Sequence, residues 1–350
     1  MRLLRYGWKI LLIACITCAL FLAYLVVNRP YLFYPLSSNV NGHTEVNSKV
    51  LESYYAVHGG DSLVEWAKAE GVYEARTRYH AIGHAVGKLL FEREGALAIE
   101  SCGDAFDWGC LHEVVGFMQE ALGPDSLDQA AEQCRSLNGK RRVGQCIHGL
   151  GHGLVYETGY ELGKINEVMK VCDKFSPERP IPWTLSCHGG AMMEYNERFL
   201  LGGDMGSNRR SVNRDNPFDV CDSMQDTAHK KVCILISPLR IHSDLFQSFS
   251  RPSVLASLGS TCDTLKQLDL RETCYGGIGL SVGLNANLRP ESVVSLCESA
   301  SDVPLYQKRC IQFAANRFVY ARKRTEAAKI CALVESDQQR RCDPEYLQIY

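Results

Sequence analysis

Net charge is almost missing from this chain. Its 38 Lys and Arg stand against 40 Asp and Glu, a formal charge of −2 over 350 residues. Without a basic face there is little to neutralise a phosphate backbone, which excludes nucleic acid as a partner. Disorder is excluded as well, because 46% of the residues are hydrophobic and only 22% charged, ample material for a core. No HExxH pair occurs, and no glycine cluster has Walker or dinucleotide spacing after a strand, so the common zinc-protease and nucleotide sites are absent. Asn-x-Ser/Thr sequons are lacking too, which leans toward a bacterial envelope over a glycosylating secretory pathway. The tight C-x-x-C spacing of zinc ligands is found only at Cys15–Cys18.

Cysteine, by contrast, is abundant, with 16 in all. Setting Cys15 and Cys18 aside, the others fall in order into pairs: Cys102/Cys110, Cys134/Cys146, Cys172/Cys187, Cys221/Cys233, Cys262/Cys274, Cys297/Cys310 and Cys331/Cys342, each enclosing 7 to 14 residues. An apolar helical stretch leads to the first cysteine of a pair, as in Ser126–Leu137. A polar link follows, often with a basic residue shortly before the second cysteine (Arg142, Lys231, Arg271, Arg309, Arg341). A stretch rich in small residues then begins, as in Cys146–Val155 and Cys274–Gly283. This pattern predicts an all-α fold of tandem α-hairpins, in which a first helix ends near one cysteine, a second opens at the next, and a local disulfide staples the loop. A cysteine-free hairpin precedes the series, with a capping box at Ser62–Glu65 and a second helix through Tyr79–Gly87. About eight hairpins are expected, forming a curved superhelix or a closed α/α toroid. Small residues repeat along the second helices (Gly83, Gly151, Gly279, Ala315), which places those helices at backbone distance from one another on the inner side.

Ahead of the repeats, Arg2, Arg5 and Lys9 precede an apolar run from Ile10 to Val27. Eighteen helical residues rise about 27 Å, close to a bilayer core. The run is longer than a cleavable signal and ends without a small-x-small site. Residues 10–27 are therefore expected as a transmembrane anchor, residues 1–9 as its cytoplasmic N-terminus, and residues 28–47, with two prolines and four asparagines, as a tether. Residues 48–350 then form the repeat domain, periplasmic or extracellular, where disulfides persist.

Of the ten histidines, His80, His84, His112, His148, His152 and His188 fall on the first four second helices. His80/His84 and His148/His152 are i, i+4 pairs, so both rings of a pair share a helix face. Two such pairs can supply imidazoles to iron, copper or zinc, with Glu113 and Glu194 as carboxylate ligands or catalytic bases. The later helices carry Leu235, Gly276 and Gln312 at the matching places, which confines the expected site to the first half. Packing in the repeat core is the plainer reading of any one histidine.

Cys187-His188-Gly189 and Cys274-Tyr275-Gly276-Gly277 are locally similar to the zinc motifs of lanthionine cyclases, which are α/α toroids. The likeness covers these short stretches in the opposite order, and their cysteines are accounted for as disulfides, so no zinc ligand is carried over. The sequence leads to a membrane-anchored, extracytoplasmic repeat protein with a histidine-rich metal site serving redox or hydrolytic chemistry. Two alternatives stand beside it: an interaction scaffold holding a protein on its concave face, and a binder of small anions at the glycine-rich starts of the second helices (148–153, 276–279).

Overall fold

The computed structural model describes residues 2–32, 34–40, 43–71, 76–103, 105–123, 127–137, 140–175, 186–198, 210–245, 252–284, 289–320 and 323–333. The described chain is helical apart from one antiparallel hairpin of β1 (Ser37–Val40) and β2 (His43–Val46). It divides into two units, residues 1–123 with 199–208, and residues 124–198 with 209–350.

The first unit holds α1 (Arg2–Asn28), α2 (Ser48–His58), α3 (Gly60–Gly71), α4 (Arg76–Glu94), α5 (Ala98–Cys102) and α6 (Gly109–Leu122). Among the described residues no helix is long and apolar enough to cross a membrane. Of the expected span Ile10–Val27, the side chains of residues 10–13 lie outside the described residues. Farther along α1, Ile16, Leu20, Phe21, Leu22, Tyr24 and Val27 are all exposed. The stretch expected as a tether contains the β-hairpin and rests on the helices. Leu36 is buried, and Tyr31 meets Tyr54 edge-on at 5.0 Å, which in turn stacks on Trp66 at 4.3 Å. Asn47 ends the segment by capping α2, its side chain accepting from the Val50 N–H at 3.3 Å. The first hairpin also begins earlier than its capping box. α3 opens at Gly60, directly after Gly59 at φ 77°, so Ser62 lies inside the helix.

The second unit holds α7 (Leu127–Ser136), α8 (Lys140–Glu157), α9 (Ile165–Asp173), α10 (Cys187–Glu197), α11 (Asp219–Asp222), α12 (Thr227–Leu245), α13 (Pro252–Asp263), α14 (Leu268–Leu284), α15 (Pro290–Ala300), α16 (Pro304–Tyr320) and α17 (Arg324–Ala332). α7 and α9 each bury one stripe at helical spacing with cysteine as its last member: Leu127, Ala130, Ala131 and Cys134 on α7, and Ile165, Val168, Met169 and Cys172 on α9. The even-numbered helices are buried nearly all round, and from α8 to α16 each packs on the next. Glycine makes that approach possible. A methyl group on Gly151 would overlap the Cys187 carbonyl of α10, and one on Gly190 would overlap the His148 carbonyl of α8. The same holds for Gly279 against the Cys310 carbonyl of α16.

Disulfides join Cys102–Cys110, Cys134–Cys146, Cys172–Cys187, Cys221–Cys233, Cys262–Cys274 and Cys297–Cys310. Cys331 is also disulfide-bonded, while Cys342 lies outside the described residues. Cys15 and Cys18 are free thiols. The expected opening of the second helix at its cysteine holds for α10, which starts at Cys187, and within one residue for α6, but needs correction elsewhere. α8, α12, α14 and α16 start at Lys140, Thr227, Leu268 and Pro304, each six residues ahead of its cysteine. Arg142, Lys231, Arg271 and Arg309, expected in the polar links, lie inside these helices, and Arg341 lies outside the described residues. A cysteine one or two turns in lets the bond reach the buried stripe of the preceding helix.

Candidate metal centre

In the first unit, α4 and α6 pack closely and bring three histidines together. The ligand nitrogens of His80, His84 and His112 all lie within 4.8 Å of one another. His84 and His112 are buried, and His80 is half-buried. His80 and His84 face each other through their Nε2 atoms at 3.1 Å. Each ring is oriented from behind by its other nitrogen. His80 Nδ1 donates to the Phe106 carbonyl at 3.1 Å, and His84 Nδ1 donates to Glu113 Oε2 at 2.6 Å.

These partners fix the proton positions. A carbonyl oxygen only accepts, so His80 carries its proton on Nδ1. A carboxylate also only accepts, so the same follows for His84. With both rings neutral the two Nε2 atoms would meet lone pair to lone pair, a contact resolved by a cation between them or by a second proton on one ring. Metal–nitrogen bonds of about 2.05 Å give ligand–ligand edges of about 2.9 Å in an octahedron and about 3.4 Å in a tetrahedron, and the observed separation falls in that interval. A carboxylate or backbone oxygen behind each imidazole is also the usual means of orienting metal-bound histidine. The Phe106 carbonyl is aimed from a short 3-10 turn, Ala105–Trp108, in which Phe106 and Trp108 take φ of 57° and 75°. Bulky residues occupy that left-handed region only where the surroundings impose it, as at ligand sites.

The second unit repeats part of this plan. His148 and His152 on α8 have ring centroids 5.0 Å apart, and both are buried. His152 Nδ1 donates to Glu194 Oε2 on α10 at 2.8 Å, and the Tyr160 hydroxyl donates to Glu194 Oε1 at 2.5 Å. Tyr160 is again an aromatic residue at positive φ, 62°. Its burial, with the Glu194 charge alongside, drives the phenol far above its ordinary range, so it stays a donor. Both glutamates expected as ligands or bases thus stand behind a histidine, on its Nδ1.

His188, expected with the other five, lies elsewhere. Its Nε2 is 2.9 Å from Asp173 Oδ1 at the end of α9, and His229 Nε2 at the start of α12 is 3.0 Å from the same oxygen. Burial works to raise the Asp173 carboxyl, but the hydrogen bonds from His229 and His188 outweigh it and hold the group below the usual carboxylate range. Burial pushes the His188 imidazole down, against the pull of Asp173. Sequence reasoning missed Asp173 and His229, and its confinement of histidine to the first four second helices fails at His229 on α12. A signal was present for one of them. Asp173 follows Cys172 as His188 follows Cys187, so the disulfide that joins those cysteines also brings their neighbours together.

One reading loses its footing. His148–Gly153 and Gly276–Gly279 lie within α8 and α14, not at their starts, where backbone N–H groups are spent on intrahelical carbonyls. The anion site expected there is not formed. Gly279-Leu-Ser281-Val-Gly283 has the spacing of a nucleophile elbow, but Ser281 is buried inside α14 and donates to the Gly277 carbonyl at 3.0 Å. No family model, curated protein or solved structure matches this chain. The site alone carries the functional argument. Histidine groups able to hold a metal ion, in a protein whose disulfides indicate an oxidising compartment, are what it provides.

Proposed function

We propose that this protein binds a transition metal through His80, His84 and His112 in an extracytoplasmic compartment, held at the membrane by α1. The observation that carries the reading is the cluster of three histidines in which two Nε2 atoms approach to 3.1 Å while their Nδ1 atoms are engaged by the Phe106 carbonyl and Glu113. An all-imidazole donor set suits zinc, copper and iron over magnesium or calcium. Three protein ligands leave a coordination position open, the arrangement of hydrolytic and redox metal sites. Glu113 acts on His84 as a positioning group. The exposed apolar side chains of α1 support membrane insertion, since a continuous apolar helix surface is costly in water. With Arg2, Arg5 and Lys9 before the apolar run, the helical units lie outside the cytoplasm. The stacked second helices of the second unit support a repeat architecture, in which a curved superhelix or toroid would present these helices on its inner side.

Elemental analysis of the oxidised full-length protein in detergent tests the metal reading. Zinc, copper or iron is expected, and one equivalent of it should be lost from the His80→Ala/His84→Ala double variant while the helical circular dichroism persists. Wild-type protein that stays metal-free after supplementation at neutral pH, with its disulfides intact, would overturn the reading in favour of an interaction scaffold. Glu113→Gln is a milder probe. It keeps the side-chain shape but weakens the grip on His84 Nδ1, and metal affinity by chelator competition should fall roughly 10- to 100-fold.

A further inference from the structure

We infer that Asp173, His188 and His229 form a second divalent-cation site, of zinc type, within the 124–198 and 209–350 unit. Their ligand atoms lie within 4.8 Å of one another, and the residues come from the end of α9 and the starts of α10 and α12. The inference is independent of the reading of His80 and His84.

Each member is placed by a separate device. The Cys172–Cys187 disulfide brings together the residues that follow its two cysteines, Asp173 and His188. Ser186 caps α10 by accepting from the Gly189 N–H at 3.2 Å, which fixes the turn bearing His188. Asp226 caps α12, its Oδ1 accepting from the backbone N–H groups of Ala228 and His229 at 2.7 and 3.2 Å.

Both imidazoles reach one carboxylate oxygen through Nε2, and an ion binding there would take the place of their two protons. The separations of 2.9 and 3.0 Å to the two Nε2 atoms match the edge of about 2.9–3.4 Å expected around a metal with bonds of about 2.05 Å. Two imidazoles and a carboxylate form a donor set common to zinc and disfavoured by magnesium. His188 and His229 are buried, whereas the Asp173 side chain is 55% exposed. The ion would enter from that side and keep a solvent-facing coordination position. It would tie α12 to α9 and α10, which the Cys172–Cys187 disulfide already joins.

The test is a titration of the oxidised, full-length, metal-stripped protein with Zn2+, and with Co2+ as a spectroscopic reporter, each ion used alone. One equivalent should remain in the His80→Ala/His84→Ala variant. Asp173→Asn and His229→Gln should each weaken that equivalent at least 100-fold, and millimolar Mg2+ should not displace it. Asp173 is half exposed, so its variant tests the site without endangering the fold. Unchanged binding in both variants would overturn the proposal. So would a single wild-type equivalent that the His80/His84 substitutions abolish. A single equivalent abolished only by Asp173→Asn would support this site and sink the first one instead.

Discussion

Gly151→Leu is expected to leave no folded second unit, and even Gly151→Ala to cost it at least about 3 kcal/mol. Alanine in place of glycine inside a helix ordinarily gains about 1 kcal/mol, so the sign of the effect is itself informative. Here the added Cβ would run into the Cys187 carbonyl and the Ala191 nitrogen of α10. Both obstacles are main-chain atoms and cannot rotate away, so α8 and α10 must move apart along their length. Overpacking against side chains costs about 1–3 kcal/mol, and helix separation adds to it. The same shift would stretch the His152–Glu194 bond of 2.8 Å that spans the two helices. Urea melts followed by circular dichroism measure the loss. Gly163, whose Cβ would meet nothing within 4 Å, is the control, and its alanine variant should stay within about 0.5 kcal/mol of the parent. A Gly151→Ala melt that coincides with the parent would show that α8 and α10 do not approach at backbone distance.

The second large effect concerns one disulfide. Replacing Cys172 and Cys187 together with serine should lower stability by about 3 kcal/mol, the chain-entropy value for a loop of this size, given its sequence separation of 15. The penalty goes further than entropy. With the bond gone, the contact between Asp173 and His188 is no longer held by their neighbours, so cation affinity at that cluster should fall with stability. The double variant therefore needs two readings, a melt and a Zn2+ titration. Loss of stability with unchanged zinc affinity would mean that helix packing alone positions the cluster. An unshifted melt would mean that the bond contributes nothing beyond geometry already set by α9 and α10.

Much of this architecture is legible in the order of the residues, because its governing signals are local. Cysteines spaced by a helical hairpin announce both the helices and their staple, and paired histidines at i, i+4 announce a shared face. What could not be read depends on registry between helices. Cys146, Cys233, Cys274 and Cys310 sit inside their helices, since reaching the stripe of a preceding helix sets their depth, and that geometry is not written in the local pattern. The glycine-rich segments looked like helix starts for the same reason, and the anion reading failed with that assumption. Glu113 and Glu194 were recognisable as functional carboxylates, but only a distance could show that each serves the rear nitrogen of a histidine. His229 precedes its cysteine, Cys233, whereas His112, His148 and His188 follow theirs, so the shared register does not reveal it.

The arrangement of the disulfides has a consequence for how such a chain is made. Each of the six disulfides placed among the described residues joins two cysteines with no other cysteine between them. A polypeptide threaded outward through a translocation pore presents both members of a pair before the next pair appears. An oxidant that acts on thiols in order of emergence therefore produces the native set directly, with no wrong partner to undo and no shuffling step to wait for. Maturation of this protein should keep pace with its export.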